Sequence, residues 1–170
     1  MNIEQIARCY IATPAYEAPD SVKIAFRQFI INLAQVELQG IKFQYVDFQP
    51  YFRGPNLCLE DMRADFNRGH LTISAQFNQS NLLGPEVNLI SRCIHEVHHL
   101  KLNVGFDWEG EVMTAVHLMS FTKNCLFRQI IFSEIIGQVA VCLHQGKFPE
   151  YQKVVIFEPR ILEQLNDLNL

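Results

Sequence analysis

Apolar positions recur at helical spacing along most of this chain. Residues 20–38, DSVKIAFRQFIINLAQVEL, place Val22, Phe26, Phe29, Ile30, Leu33 and Val36 on one stripe. Pro19 and Asp20 stand at its start and Gly40 just past its end, as helix punctuation requires. Residues 41–56, IKFQYVDFQPYFRGPN, are aromatic-rich and broken by Pro50 and by Gly54-Pro55, so they read as an ordered connector. A short helix is expected through LEDMRADF (59–66). HLTISAQF (70–77) has the alternation of a strand, but no partner strand is evident from the pattern, and it is not counted as one. From Pro85 the helical signal is strong. Ile90, Cys93, Val97 and Leu100 fall on one side, Ser91, His95, His99 and Leu102 on the opposite side, and Arg92 and His98 flank them. Gly105 is the expected stop, and Asp107 the N-cap of a helix that is apolar almost all round. Apolar sequence continues through or near residues 128–146, RQIIFSEIIGQVAVCLHQG, to Gly146 and Pro149, and EPRILEQLNDL reads as a last short helix. The expected fold is all-α: a single-domain helical bundle over residues 1–170, with an antiparallel helix hairpin carrying whatever site the histidines build.

Composition narrows the function classes. The chain has 170 residues, 49% apolar with thirteen Phe and only 19% charged, which is a globular balance with an apolar lean. A formal charge of −4 and the absence of a basic patch exclude nucleic acid as an expected partner. The five cysteines, Cys9, Cys58, Cys93, Cys125 and Cys142, are scattered singly without a C-x-x-C pair. They read as buried thiols in a reducing compartment rather than as disulfides or thiolate zinc ligands. The first twenty residues lack the long apolar stretch of a signal peptide. Residues 125–143 are about long enough to span a bilayer but carry Arg128, Gln129, Glu134 and Gln138, so a buried helix is expected there. The expected location is cytoplasmic, with attachment to the inner face of a membrane left open.

Candidate chemistry concentrates in HEVHH, residues 95–99. His95 and His99 are one helical turn apart and project to the same side, so both can bind one ion. Glu96 lies about 100° round the helix from His95. There it can act as the catalytic base on metal-bound water, as in a zinc protease, or as a ligand itself. A solvated polar face is the competing reading, because the histidines lie opposite the apolar stripe. The following helix shifts the balance. An antiparallel hairpin sets Glu111, in its first turn, at the height of His99. Its many apolar residues would bring the histidine face indoors, where imidazoles and carboxylates need partners and a metal satisfies several at once. Glu134 is the alternative metal ligand, and the more protease-like one.

His95-Glu96-Val97-His98-His99, eleven residues and then Glu111 preceded by Gly110, resembles the signature of the coenzyme Q (ubiquinone) biosynthesis proteins marked by His-Asp-x-x-His, eleven residues, Glu. Arg92, three residues before the first His, also resembles an arginine common in that family, and the match covers roughly residues 91–121. The resemblance implies that His95, Glu96, His99 and Glu111 are metal ligands, with zinc the expected divalent metal and Arg92 behind them or touching an anion. Glu96 stands where the family has Asp, and its part as ligand is the least secure of the four. His98 also departs from the family, and an exposed position is expected for it. A mainly helical protein, peripheral to membrane, is implied. Its partners would be a prenylated quinone precursor or another isoprenoid lipid, other quinone-biosynthesis enzymes and the membrane surface. Ring decarboxylation or hydroxylation is the implied chemistry, and a homodimer is compatible with it. Two other readings stand beside this one: a non-catalytic prenyl-lipid scaffold with a structural metal, and a zinc metalloprotease of the His-Glu-x-x-His type.

Overall fold

The computed structural model describes residues 2–53, 56–149 and 151–165. It divides into two compact units, Pro19–Phe106 and a second made of Met1–Ala18 with Asp107–Leu170.

In the unit Pro19–Phe106, helix α2 spans Asp20–Glu37 and buries Phe26, Ile30 and Leu33 of the expected stripe. Val36, at the end of that stripe, is 69% exposed. Strand β1 (Lys42–Val46) follows, then the short antiparallel pair β2 (Phe52–Arg53) and β3 (Asn56–Leu57), helix α3 (Leu59–Asn67) and strand β4 (His70–Ser74). β4 pairs with β1 in parallel, Lys42 opposite His70 and Val46 opposite Ser74. A parallel pair needs a crossover, and the β2–β3 ribbon with α3 supplies it. Alternation along β4 turns Leu71 and Ile73 inward. They join Met62, Cys93, Val97 and Leu100 in one core cluster, on which Phe43, Phe66 and Phe106 also pack.

These strands overturn the expectation of an all-α bundle built on an antiparallel hairpin. HLTIS is a strand after all, and its partner is the KFQYV segment of the supposed connector. The pairing is long-range and parallel, so no local hairpin signal announces it, and neither strand alone is long enough to declare itself.

Helix α4, Gly84–Leu102, carries the histidines. It ends at Asn103, held in the left-handed conformation at φ 57° and ψ 43°, and not at Gly105 as the sequence suggested. The Asn103 N–H donates to Leu100 O at 3.3 Å and the Val104 N–H to His99 O at 3.1 Å, the paired closure of a Schellman turn. Arg63 of α3 secures it, donating to Leu100 O at 3.3 Å and to Asn103 Oδ1 at 2.7 Å.

The second unit contains α1 (Ile3–Ala12), α5 (Trp108–Ser120), α6 (Cys125–Phe132), a π-helical turn (Ser133–Gly137), α7 (Gln138–Gln145) and α8 (Pro159–Glu163). Asp107 caps α5 as expected, its Oδ1 accepting from Gly110 N at 2.9 Å. The apolar run is broken after Ser120, where Asn124 starts α6 by accepting from Leu126 N and Phe127 N. Cys125–Gln145 is long and apolar enough to cross a bilayer by length and composition, and half of its most apolar window is buried inside the protein.

An extended strap, residues 152–158, is clipped to these helices by side chains. The Tyr10 hydroxyl donates to Lys153 O and accepts from Lys153 N. Ser133 Oγ accepts from Val155 N at 2.8 Å, and the Gln129 amide bonds both backbone groups of Phe157 at 3.0 Å. Gly137 lets α1 approach, because a Cβ there would lie 2.7 Å from Tyr10 Cδ2 and 3.3 Å from Phe157 Cζ. Gly137→Ala is therefore expected to destabilise the protein by about 1–3 kcal/mol through overpacking, measured by denaturant unfolding.

Candidate metal centre

Helix α4 builds the centre of the site. Its helical repeat sets His95 and His99 one above the other, with their Nε2 atoms 3.1 Å apart and the rings edge to face. Two imidazole nitrogens bound to one tetrahedral zinc at about 2.0–2.1 Å lie about 3.3 Å from each other. The observed pair is thus close to the spacing that one shared ion requires. His99 is fully buried and His95 partly so. Phe106 stacks on the His99 ring, with centroids 4.0 Å apart and planes 20° from parallel.

His98 is fully buried, against the expectation of an exposed side chain. Its Nε2 lies 3.3 Å from Glu37 Oε2, and Lys101 Nζ approaches the same oxygen at 2.7 Å. Burial acts to raise the Glu37 carboxyl, but the Lys101 bond and the charges of Lys101 and His98 outweigh it and hold the group below its ordinary range. Groups of His and Glu side chains that can hold a metal ion are therefore present, one around His95 and His99 and another around His98 and Glu37.

The other candidates from sequence have surroundings of their own. The Arg92 guanidinium donates to Ser74 O at 2.9 Å, Gln76 O at 2.6 Å and Phe77 O at 3.1 Å, tying down the turn that leaves β4. Phe77 sits in that turn at φ 54°, an uncommon backbone for an aromatic residue, and is 78% exposed. Glu96 is half-buried, its charge acting on Arg92 and Cys93, and it stands outside both groups. Burial pushes the Cys93 thiol up to about 11, beside a Tyr45 hydroxyl at 3.6 Å, so it is no nucleophile. Glu111 is buried in the first turn of α5 in the other unit. Glu134 lies in the π-helical turn and belongs to neither group. A surface concavity is lined by Asn2, Glu4, Gln5 and Arg8.

Sequence reasoning missed Phe106 and the Glu37–His98 pair. Phe106 follows a turn residue and has no periodic partner. Glu37 carries no motif, and only the packing of α2 on α4 brings it to His98. Compared with family models, curated proteins and solved structures, the chain matches none of them.

Glu134 generates a test of its own. Burial raises its carboxyl from the ordinary 4.5 to about 7, against a bond from Gln138 Nε2 at 3.0 Å that lowers it. The folded state then holds a proton that the unfolded chain has lost, so stability falls as pH rises from about 4.5 to about 7. Glu134→Gln should remove this slope. It should gain at most about 3 kcal/mol over wild type at pH 8 and nothing at pH 4, read by denaturant unfolding at both.

Proposed function

We propose that this chain binds a divalent metal, zinc by preference, through His95, His99 and Glu111. We further propose that it serves isoprenoid quinone biosynthesis by acting on a prenylated aromatic precursor. The observation that carries the metal reading is the His95–His99 pair, whose Nε2 atoms converge on one point at the spacing of shared ligands. Glu111 is a carboxylate of the right chemistry for a third ligand, and its part rests on the sequence pattern of His-Glu-x-x-His, eleven residues, Glu. Two imidazoles and one carboxylate leave a coordination position for water or substrate, which favours catalysis over a closed structural site. Glu96 is then the candidate base or a further ligand. The metal's contribution would be that of a Lewis acid toward a carboxylate or phenolate oxygen on the ring. The quinone assignment rests on the resemblance of the His-Glu-x-x-His, eleven residues, Glu pattern. With it come the proposed membrane surface and partner enzymes. A lipid scaffold with a structural metal is the non-catalytic form of the same proposal.

A zinc peptidase is the second reading, and one observation favours it. Strand β4 precedes the histidine helix and packs on it, as a substrate-cradling edge strand would. Against it, the Thr72 N–H of that strand is already engaged by the Tyr51 hydroxyl at 2.8 Å.

Elemental analysis of purified protein tests both. Wild type should carry close to one metal ion per chain, lost in His99→Ala and Glu111→Ala and retained in Glu134→Ala. Loss with Glu134→Ala and retention with Glu111→Ala would move the assignment to the peptidase. A wild type without metal after zinc-supplemented expression would remove both readings.

A further inference from the structure

We propose that Phe106 is a positioning residue for the His99 imidazole, holding the ring so that Nε2 stays turned toward His95. The inference rests on the metal reading above for its purpose, but its geometry stands without a metal. The two rings are stacked at 4.0 Å and nearly parallel, so rotation of the imidazole about its Cβ–Cγ bond would drive it into the phenyl face. An unrestrained imidazole samples broad values of that torsion, and a ligand that must be ordered on binding loses affinity. Stacking removes that cost in advance and shields one face of the ring from water.

The placement of Phe106 is itself determined by the end of α4. A helix that ran on would carry residue 106 away along the axis. Instead Asn103 turns left-handed, Val104 N–H closes on the carbonyl of His99 itself, and the chain folds back so that Phe106 covers the side chain of the same residue. Arg63 locks the turn through Leu100 O and Asn103 Oδ1. One turn therefore holds both the backbone and the ring of His99.

Phe106 also packs on the core cluster of its unit, so loss of its ring lowers stability whatever its role. Phe66→Ala supplies the control, since Phe66 packs on the same cluster. The full chain is compared as wild type, Phe106→Ala, Phe106→Tyr and Phe66→Ala. Two readouts are taken: histidine-ring carbon–proton NMR spectra without metal, and zinc affinity by competition with a chromophoric chelator. In Phe106→Ala the His99 and His95 ring signals should both shift and broaden, and zinc should bind at least about 10-fold more weakly. Phe106→Tyr should restore both, and Phe66→Ala should change only the unfolding midpoint. Unchanged His95 signals in Phe106→Ala, or wild-type zinc affinity in that variant, would make Phe106 a core residue only and overturn the proposal. If wild type itself takes up no zinc, the metal reading fails. The NMR comparison still decides the positioning role.

Discussion

Burial of helix α4 is the constraint from which the unit Pro19–Phe106 takes its form. One face supplies Cys93, Val97 and Leu100 to the core with Leu71 and Ile73 of β4, and that apolar contact is the main driving force for the unit. The same burial carries His98 and His99 out of water. Imidazole nitrogens cannot be left in apolar surroundings at low cost, so the helix is acceptable there only with polar partners beside it. Glu37 at 3.3 Å from His98 and the His95–His99 contact at 3.1 Å are polar partners of this kind within the unit. A helix with its histidines in solvent would demand none of this. The polar-face reading therefore fails for His98 and His99 on burial alone.

The other unit solves a different problem. Its strap is extended and, among the described residues of the unit, has no sheet to join, yet its backbone groups must be satisfied. Helix side chains take the part of a neighbouring strand: Tyr10 serves Lys153, Ser133 serves Val155, and Gln129 serves Phe157. The alternation of clipped residues matches the two-residue repeat of extended chain. It places Val155 and Phe157 fully inside. The π-helical turn sits where these contacts converge, with Gly137 against Tyr10 and Phe157.

Function follows from how these solutions meet the ligand chemistry. The two imidazole nitrogens that His95 and His99 bring together on α4 are donors of the kind that can hold a metal ion. Arg92 holds the turn after β4 through three backbone carbonyls, so its removal would act through that loop. The additional histidine is not a bystander either, since His98 and Glu37 join α4 to α2.

The sequence by itself determined whatever depends on neighbours within one turn of helix. It determined the existence of α2, α3 and α4, the bounds of the first two, the Asp107 cap of α5, and the pairing of His95 with His99, because these rest on i, i+3 and i+4 relations that a linear pattern records. Tertiary structure alone decided the parallel β1–β4 pairing, the burial of His98 against Glu37, the duty of Arg92 and the covering of His99 by Phe106. Each of these depends on segments far apart in sequence, or on a chain reversal such as the left-handed Asn103. The energy of such contacts comes from burial in a packed interior, which no local periodicity encodes.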